Sequence, residues 1–270
     1  MKKTLSLLLC TLCMASCTEI IHIDIENANA ELVVEANLAT DSVINILLTQ
    51  SVSLQDPSSY PVVDDAQIYV SDDKGNSELL AYVAPGRYES VALKGTIGEI
   101  YSLDIVVGNN AVSSSSSMPS MVPFDSLVVE KGNLFGGIGT PSISDGAEGE
   151  YYEIKVLYKD PEEEENYYRF VEKINGEFIG YYLEDDTRKN GKEMEKALFR
   201  FDRRLKKDDV VRIEMQSVSK EFYLYLTTLN DLKSSTQRGS TPANPVSNLK
   251  GTQLGYFSTH TSQSKDVIIE

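Results

Sequence analysis

The sequence predicts a mainly β protein: an N-terminal β-sandwich of immunoglobulin-like or transthyretin-like type, followed by a second β-rich domain with one packed helix. Three observations predict it. Short alternating or β-branched runs recur from Glu31 to Val112, separated by turn residues and with no helical period between them. The series resumes at Phe124 and continues to the end of the chain. A single stretch, Lys220 to Lys233, carries apolar residues at helical spacing.

The first 16 residues read as an export signal. Lys2 and Lys3 form a positive n-region, and the apolar run after them is shorter than the ~20 residues that span a bilayer. Met14-Ala15-Ser16-Cys17 resembles a lipobox, whose cysteine receives a diacylglycerol thioether and becomes the new N-terminus. Cys10 and Cys13 follow Leu9 and Leu12, too bulky for a peptidase pocket shaped for small residues. Cys17 is therefore the expected lipidation site, carrying palmitate-type chains worth about 0.8 kcal/mol per buried methylene. The alternative is an ordinary secretory peptide that leaves Cys17 as a free thiol. In either case no second cysteine survives cleavage. The exported chain must then rely on core burial, not disulfides.

Residues 17–30 form a tether, residues 31–118 the N-terminal sandwich and residues 119–270 the C-terminal domain. In the sandwich, strands are expected at Glu31–Leu38, Val43–Thr49, Ala66–Val70, Glu78–Val83, Gly86–Leu93 and Tyr101–Val107. Asp72-Asp-Lys-Gly-Asn76 lacks the register and distal glutamate of a calcium loop. It reads as a hairpin turn with Gly75 or Asn76 at positive φ. Ser113 to Ser117 is either a linker or the last polar edge strand, and Pro119 and Pro123 then end regular pairing.

Strands in the second domain are expected at Phe124–Glu130, Glu150–Tyr158, Tyr167–Ile174, Glu177–Leu183 and Asp209–Met215, with a long mobile loop at Gly132–Gly149. Ser219 N-caps the helix, Phe222, Leu226 and Leu229 form its apolar face, and Tyr223 and Tyr225 pack on the adjoining sheet. After a proline-containing loop at Thr241–Val246, the chain closes with strands at Leu254–His260 and Val267–Glu270, which suggests an intact domain.

Composition excludes several functions. The net charge is −16, and loss of Lys2 and Lys3 leaves 23 basic against 41 acidic side chains, or −18. No basic stripe is available for counterion release, so nucleic-acid binding is excluded and adhesion to anionic lipid disfavoured. Glu162 to Glu165 is the densest acidic run, but consecutive residues of an extended segment point to opposite sides. Calcium needs about six to eight converging oxygens, so the run reads as a solvated loop.

The chain has only His22 and His260, too far apart in sequence role to suggest zinc, and no Gly-x-Ser-x-Gly elbow. Gly136-Gly-Ile-Gly139 opens no βαβ unit, and no Gly-Lys-Ser/Thr is present. No catalytic residue, metal site or cofactor is expected. Tryptophan is absent, so sugar stacking would fall to tyrosines such as Tyr151-Tyr152, Tyr167-Tyr168 and Tyr181-Tyr182. On a strand each pair offers one core ring and one exposed ring, and packing is the simpler role. Asp41-Ser42-Val43 and Asp125-Ser126-Leu127 match an Asp-Ser/Thr-apolar O-glycosylation pattern.

Several stretches together resemble the Bacteroidota lipoproteins known as domain of unknown function 4249. They are Cys17 with Ile23-Asp-Ile25, Leu32-Val-Val-Glu-Ala36, Ser71-Asp-Asp-Lys-Gly-Asn76, Gly86-Arg-Tyr88, Phe124-Asp-Ser-Leu127, Asn166-Tyr-Tyr-Arg-Phe170, Ser247-Asn-Leu-Lys-Gly251 and Leu254-Gly-Tyr-Phe257. The resemblance implies an N-terminal sandwich, a C-terminal β-rich domain and an outer-membrane lipoprotein associated with TonB-dependent receptors, and it carries no catalytic residues. Three functions follow as expectations. The first is a non-enzymatic lipoprotein that binds a partner or ligand, accessory to a TonB-dependent uptake system. The others are a lipoprotein pilin or adhesin and, last, a glycan-active enzyme.

Overall fold

A computed structural model describes residues 30–52, 59–131, 152–187, 190–198, 204–237, 244–252 and 254–270. Cys17, His22, Tyr151 and the Gly132–Gly149 segment lie outside the described residues.

Alternating side chains of β1 (Leu32–Ala39) and β2 (Val43–Gln50) place Val34, Ala36, Leu38, Ile44, Ile46 and Leu48 on one buried face. β3 (Gln67–Asp72), β4 (Ser77–Leu79), β5 (Ala81–Ala84), β6 (Arg87–Lys94), β7 (Ile100–Val107) and β8 (Asn110–Ser117) follow. The second half comprises β9 (Phe124–Lys131), β10 (Tyr152–Lys159), β11 (Tyr167–Ile174), β12 (Glu177–Asp185), β13 (Glu193–Leu198), β14 (Val210–Val218), helix α1 (Lys220–Gln237) and β15 (Leu254–Ile268).

Among the described residues these strands form three sheets. An eight-stranded sheet, β12-β11-β14-β15-β1-β2-β6-β5, runs through both halves. The sheet β4-β3-β7-β8 covers one end of it and the sheet β13-β10-β9 the other, giving two β-sandwiches on one shared sheet. The mainly β class read from the sequence is the observed one. The two cores divide the chain between Met118 and Val122, except that Leu249 and Phe257 are buried in the first.

Three local expectations change and one open alternative is decided. Glu78–Val83 is two strands: β4 pairs with β3, β5 with β6, and buried Leu80 carries the chain between sheets, its N–H donating to Ile68 O at 2.9 Å. The two expected strands Leu254–His260 and Val267–Glu270 are one continuous strand, β15, which ends at Ile268. Its polar middle pairs with a polar stretch of β14, where Ser262 Oγ donates to Glu214 at 2.7 Å. β13 was not expected; it buries Met194 and Leu198. Of the two readings of Ser113–Ser117, the structure shows the polar edge strand.

The Asp72–Asn76 turn has Gly75 at φ 93°, and Asp72 Oδ1 accepts N–H bonds from Lys74 and Asn76 at 3.0 and 2.8 Å. Ser219 Oγ caps α1 by accepting from Phe222 N–H at 3.3 Å. The helix lays Phe222, Leu226, Tyr223 and Tyr225 against Tyr167, Tyr181, Leu183 and Tyr256 of the large sheet.

Candidate functional site

The two sandwiches meet along β15. Leu254 to His260 run parallel to β1, and His260 to Ile268 run antiparallel to β14. His260 marks the changeover, its carbonyl accepting Thr40 N–H at 3.0 Å.

The segment before β15 clasps this joint. Asn248 satisfies both backbone groups of Phe257, donating Nδ2–H to its O at 2.7 Å and accepting its N–H at 2.9 Å. Ser247 Oγ donates to Gly255 O at 2.7 Å, and Lys250 and Ser113 exchange backbone bonds at 2.8 and 2.9 Å. Close approach demands glycine at two positions. A Cβ on Gly251 (φ 95°) would lie 2.1 Å from Ala111 O, and one on Gly255 (φ 106°) 1.9 Å from Val34 O. The motif Ser247-Asn-Leu-Lys-Gly251 thus has a structural explanation.

Beside the clasp lies a groove of about 630 Å³, lined by Ser102, Asp104, Ser115, Ser247, Asn248, Lys250 and Glu221 of α1. Hydroxyls, an amide and charges of both signs suit a polar ligand or a polypeptide loop that hydrogen-bonds extensively. None of its lining is aromatic.

The tyrosine pairs behave differently from expectation. Tyr168 is buried, as the strand period requires, but Tyr167 is not left exposed: its ring lies 5.0 Å from that of Tyr223 under α1. Tyr181 and Tyr182 are both half-buried, their hydroxyls donating to Asn230 and Glu172. The helix covers the sheet face that the local period assigns to solvent.

On that same face Arg169, Glu214, Gln216, Ser258, His260 and Ser262 form a polar cluster. Arg169 Nη1 donates to Gln216 at 3.3 Å, and Gln216 Nε2 to Glu214 at 2.7 Å. The Arg169 guanidinium lies 4.9 Å from the Tyr181 ring centroid. Burial pushes the His260 pKa down to about 4, against the attraction of Glu214, so the imidazole is neutral at pH 7. The sequence reading missed that Ser258 and His260, two residues apart on one strand, share a face. Their Oγ and Nδ1 are 3.3 Å apart. The contact resembles a nucleophile with its base, yet Ser258 is fully buried and Glu214 is engaged by Ser262 and Gln216. A substrate cannot reach it.

Among the described residues no three His, Cys, Asp or Glu side chains form a group that could hold a metal ion. Glu162 to Glu165 are all exposed, and Glu165 pairs with Lys220 at 2.9 Å. Ser42 is exposed in a turn where Asp41 has φ 59°, whereas Ser126 is half-buried in β9.

Fold and site define a tandem β-sandwich protein closed by its own C-terminal strand. The chain belongs to the family described as domain of unknown function (DUF4249), whose model matches residues 18–266. No curated protein matches the sequence. Among solved structures, the FN1-FN3 domains of chicken CNTN1 align over 90% of this chain and 67% of theirs, at 10% identity. The TM-score of 0.25 is too low for that likeness to bear on function.

Proposed function

We propose that this is a non-enzymatic lipoprotein of the outer membrane, anchored through Cys17, that binds a partner or ligand as the accessory component of a TonB-dependent uptake system. The observation that carries the reading is the lipobox Met14-Ala15-Ser16-Cys17, which ends immediately before Thr18, where the family match begins. No helix among the described residues is long and apolar enough to cross a membrane, and the proposal assigns attachment to the lipid on Cys17. The polar groove beside the clasp is the contact surface we assign to the partner or ligand.

Membrane-extracted, tagged protein is purified in mild detergent, its intact mass measured and its companions identified. The expected result is a triacylated N-terminal cysteine, lost in Cys17→Ser, together with a stoichiometric TonB-dependent barrel. An unmodified Cys17 overturns the anchor, and recovery as a lone monomer across detergents overturns the uptake role. The same mass measurement reads any hexose increments on Ser42 or Ser126. A pilin-type assembly would require release of an early strand. Here β1 lies in the middle of the large sheet, paired to both β15 and β2, so its removal would split that sheet.

A further inference from the structure

At one end of the second sandwich, the β10–β11 and β12–β13 connections gather polar side chains that the clasp does not use. Asp160 and Asn166 bracket the first connection and Asp186 opens the second; they are 1%, 5% and 3% exposed. Asn166 N–H donates to Asp186 Oδ2 at 2.8 Å, and Asp186 N–H to Asn166 O at 3.3 Å. Gly191 N–H donates to Asp160 Oδ2 at 3.0 Å, and the Tyr168 hydroxyl donates to Asp160 Oδ1.

Two oxygens here have nothing to bond. Tyr158, 0% exposed, has its ring 4.8 Å from that of Tyr168, and its hydroxyl has no hydrogen-bond partner. The carboxylates of Glu184, Asp160, Asp186 and Asp185 all act on that hydroxyl without reaching it. Asn166 Oδ1 is likewise buried and unpartnered. Orphaned buried polar atoms call for a bound species.

The charge balance says which kind. Among the described residues no lysine or arginine makes an ion pair with Asp160 or Asp186. A bound water would satisfy the orphaned oxygens but leave the two buried carboxylates with no cationic partner among the described residues. A cation does both. The available donors are carboxylate, amide and phenol oxygens, a set that suits a hard divalent ion.

We propose that a calcium-class cation binds between Asp160, Asn166 and Asp186, beside the Tyr158 hydroxyl, and ties the two connections together. With two carboxylates and neutral oxygens completing the set, its affinity falls at the weak end for calcium, roughly 10⁻⁴ to 10⁻³ M, the range of extracellular modules. The exposed Glu162–Glu165 run beside the site adds negative potential at its approach.

The absence of tryptophan makes the test clean, since tyrosine alone can sensitise terbium luminescence. Metal-free mature protein is titrated with Tb³⁺ under tyrosine excitation and then competed with Ca²⁺, and thermal melts are recorded in 10 mM Ca²⁺ and in EDTA. The expected result is a saturable, several-fold luminescence gain reversed by millimolar Ca²⁺, and a melting temperature about 5 °C higher in Ca²⁺. Asp186→Asn and Asp160→Asn should abolish both effects, while Glu163→Gln should keep them. Equal melting in Ca²⁺ and EDTA without luminescence overturns the proposal and leaves a buried water. Terbium binding that survives both Asp→Asn substitutions also overturns it, by placing the ion on the exposed glutamates. The wild-type melts decide the matter even if a variant fails to fold.

Discussion

The two sandwiches treat buried polarity in opposite ways. In the first, Ser90 bonds Ile44 N–H and Leu93 O, Glu99 accepts the Tyr101 hydroxyl, Ser114 donates to Asn248 O, and Ser116 meets Thr259. In the second, Tyr158 Oη, Asn166 Oδ1 and Arg169 Nε are buried without partners. The first also has the less self-sufficient core, needing Leu249 and Phe257 from the far end of the chain, while every residue of the second core comes from Val122 onward. A borrowed-strand sandwich whose buried polar side chains are all satisfied among the described residues is built to hold a shape. One that leaves polar atoms open is where bound species belong.

That asymmetry breaks most severely at Gly255. Gly255→Ala places a methyl 1.9 Å from Val34 O on a backbone at φ 106°, so β15 must leave β1. The expected cost is about 4 kcal/mol or more, concentrated in the first sandwich. Hydrogen exchange should show β1, β2 and β6 losing protection while β10, β11 and β14 keep it. Simultaneous loss in both would mean that the shared sheet makes them one cooperative unit. Phe257→Ala, which empties the borrowed position without moving the backbone, should cost roughly 3–4 kcal/mol with the same distribution. Urea unfolding followed by tyrosine fluorescence gives its magnitude.

Strands whose one face is buried were legible because alternation needs no distant information: β1, β2 and β7 match their expected runs. The parallel pairing of β15 with β1 has no local signal, since its partners are separated by most of the chain. The sheet change at Leu80 was hidden because Leu79 and Leu80 are both apolar, with no turn residue to mark the break. Ser258 and His260 could have been joined by counting in twos. The acidic site could not. Glu162–Glu165 dominates the local sequence, and nothing in a string of acids says that the flanking Asp160, not the run, loses its solvent. Burial comes from residues distant in sequence: Gly191 lies against Glu162 and donates its N–H to Asp160.

His260 sharpens the comparison by adding acid. Its folded pKa of about 4 lies below the ordinary 6.5, so between these values the unfolded chain holds a proton that the native chain lacks. Its contribution is therefore complete above pH 6.5 and is lost as pH falls toward 4, by about 2 kcal/mol between pH 7 and pH 5. Glu214 and Arg169 act on the ring with opposite sign, attraction and repulsion, and neither overturns the effect of burial. Denaturant melts at the two pH values should show this loss in the wild type and a flatter profile in His260→Gln. An equal slope in both proteins would show that the joint does not respond to the imidazole.

The smallest effect belongs to the satisfied sandwich and shows how it reaches satisfaction. Between Asn45↔Glu89 and Val43↔Lys94 the β2–β6 register shifts, so β6 bulges and its amides at Val91, Ala92 and Leu93 leave the ladder. Glu78, arriving on β4 from the opposite sheet, collects all three, accepting from Ala92 at 3.1 Å and Leu93 at 2.7 Å. Burial alone would raise its pKa, but the three N–H bonds outweigh burial and hold it below the usual 4.5. Val91 and Ala92 are exposed, so water replaces much of what Glu78→Ala removes, and the loss at pH 7 should be only about 1 kcal/mol. A depressed carboxylate contributes above its unfolded value and loses that contribution as pH falls through the folded one. Wild type and Glu78→Ala should therefore converge in stability below pH 4.5. A difference that persists in acid would mean that the bulge is held by side-chain packing and not by the charge that gathers its amides.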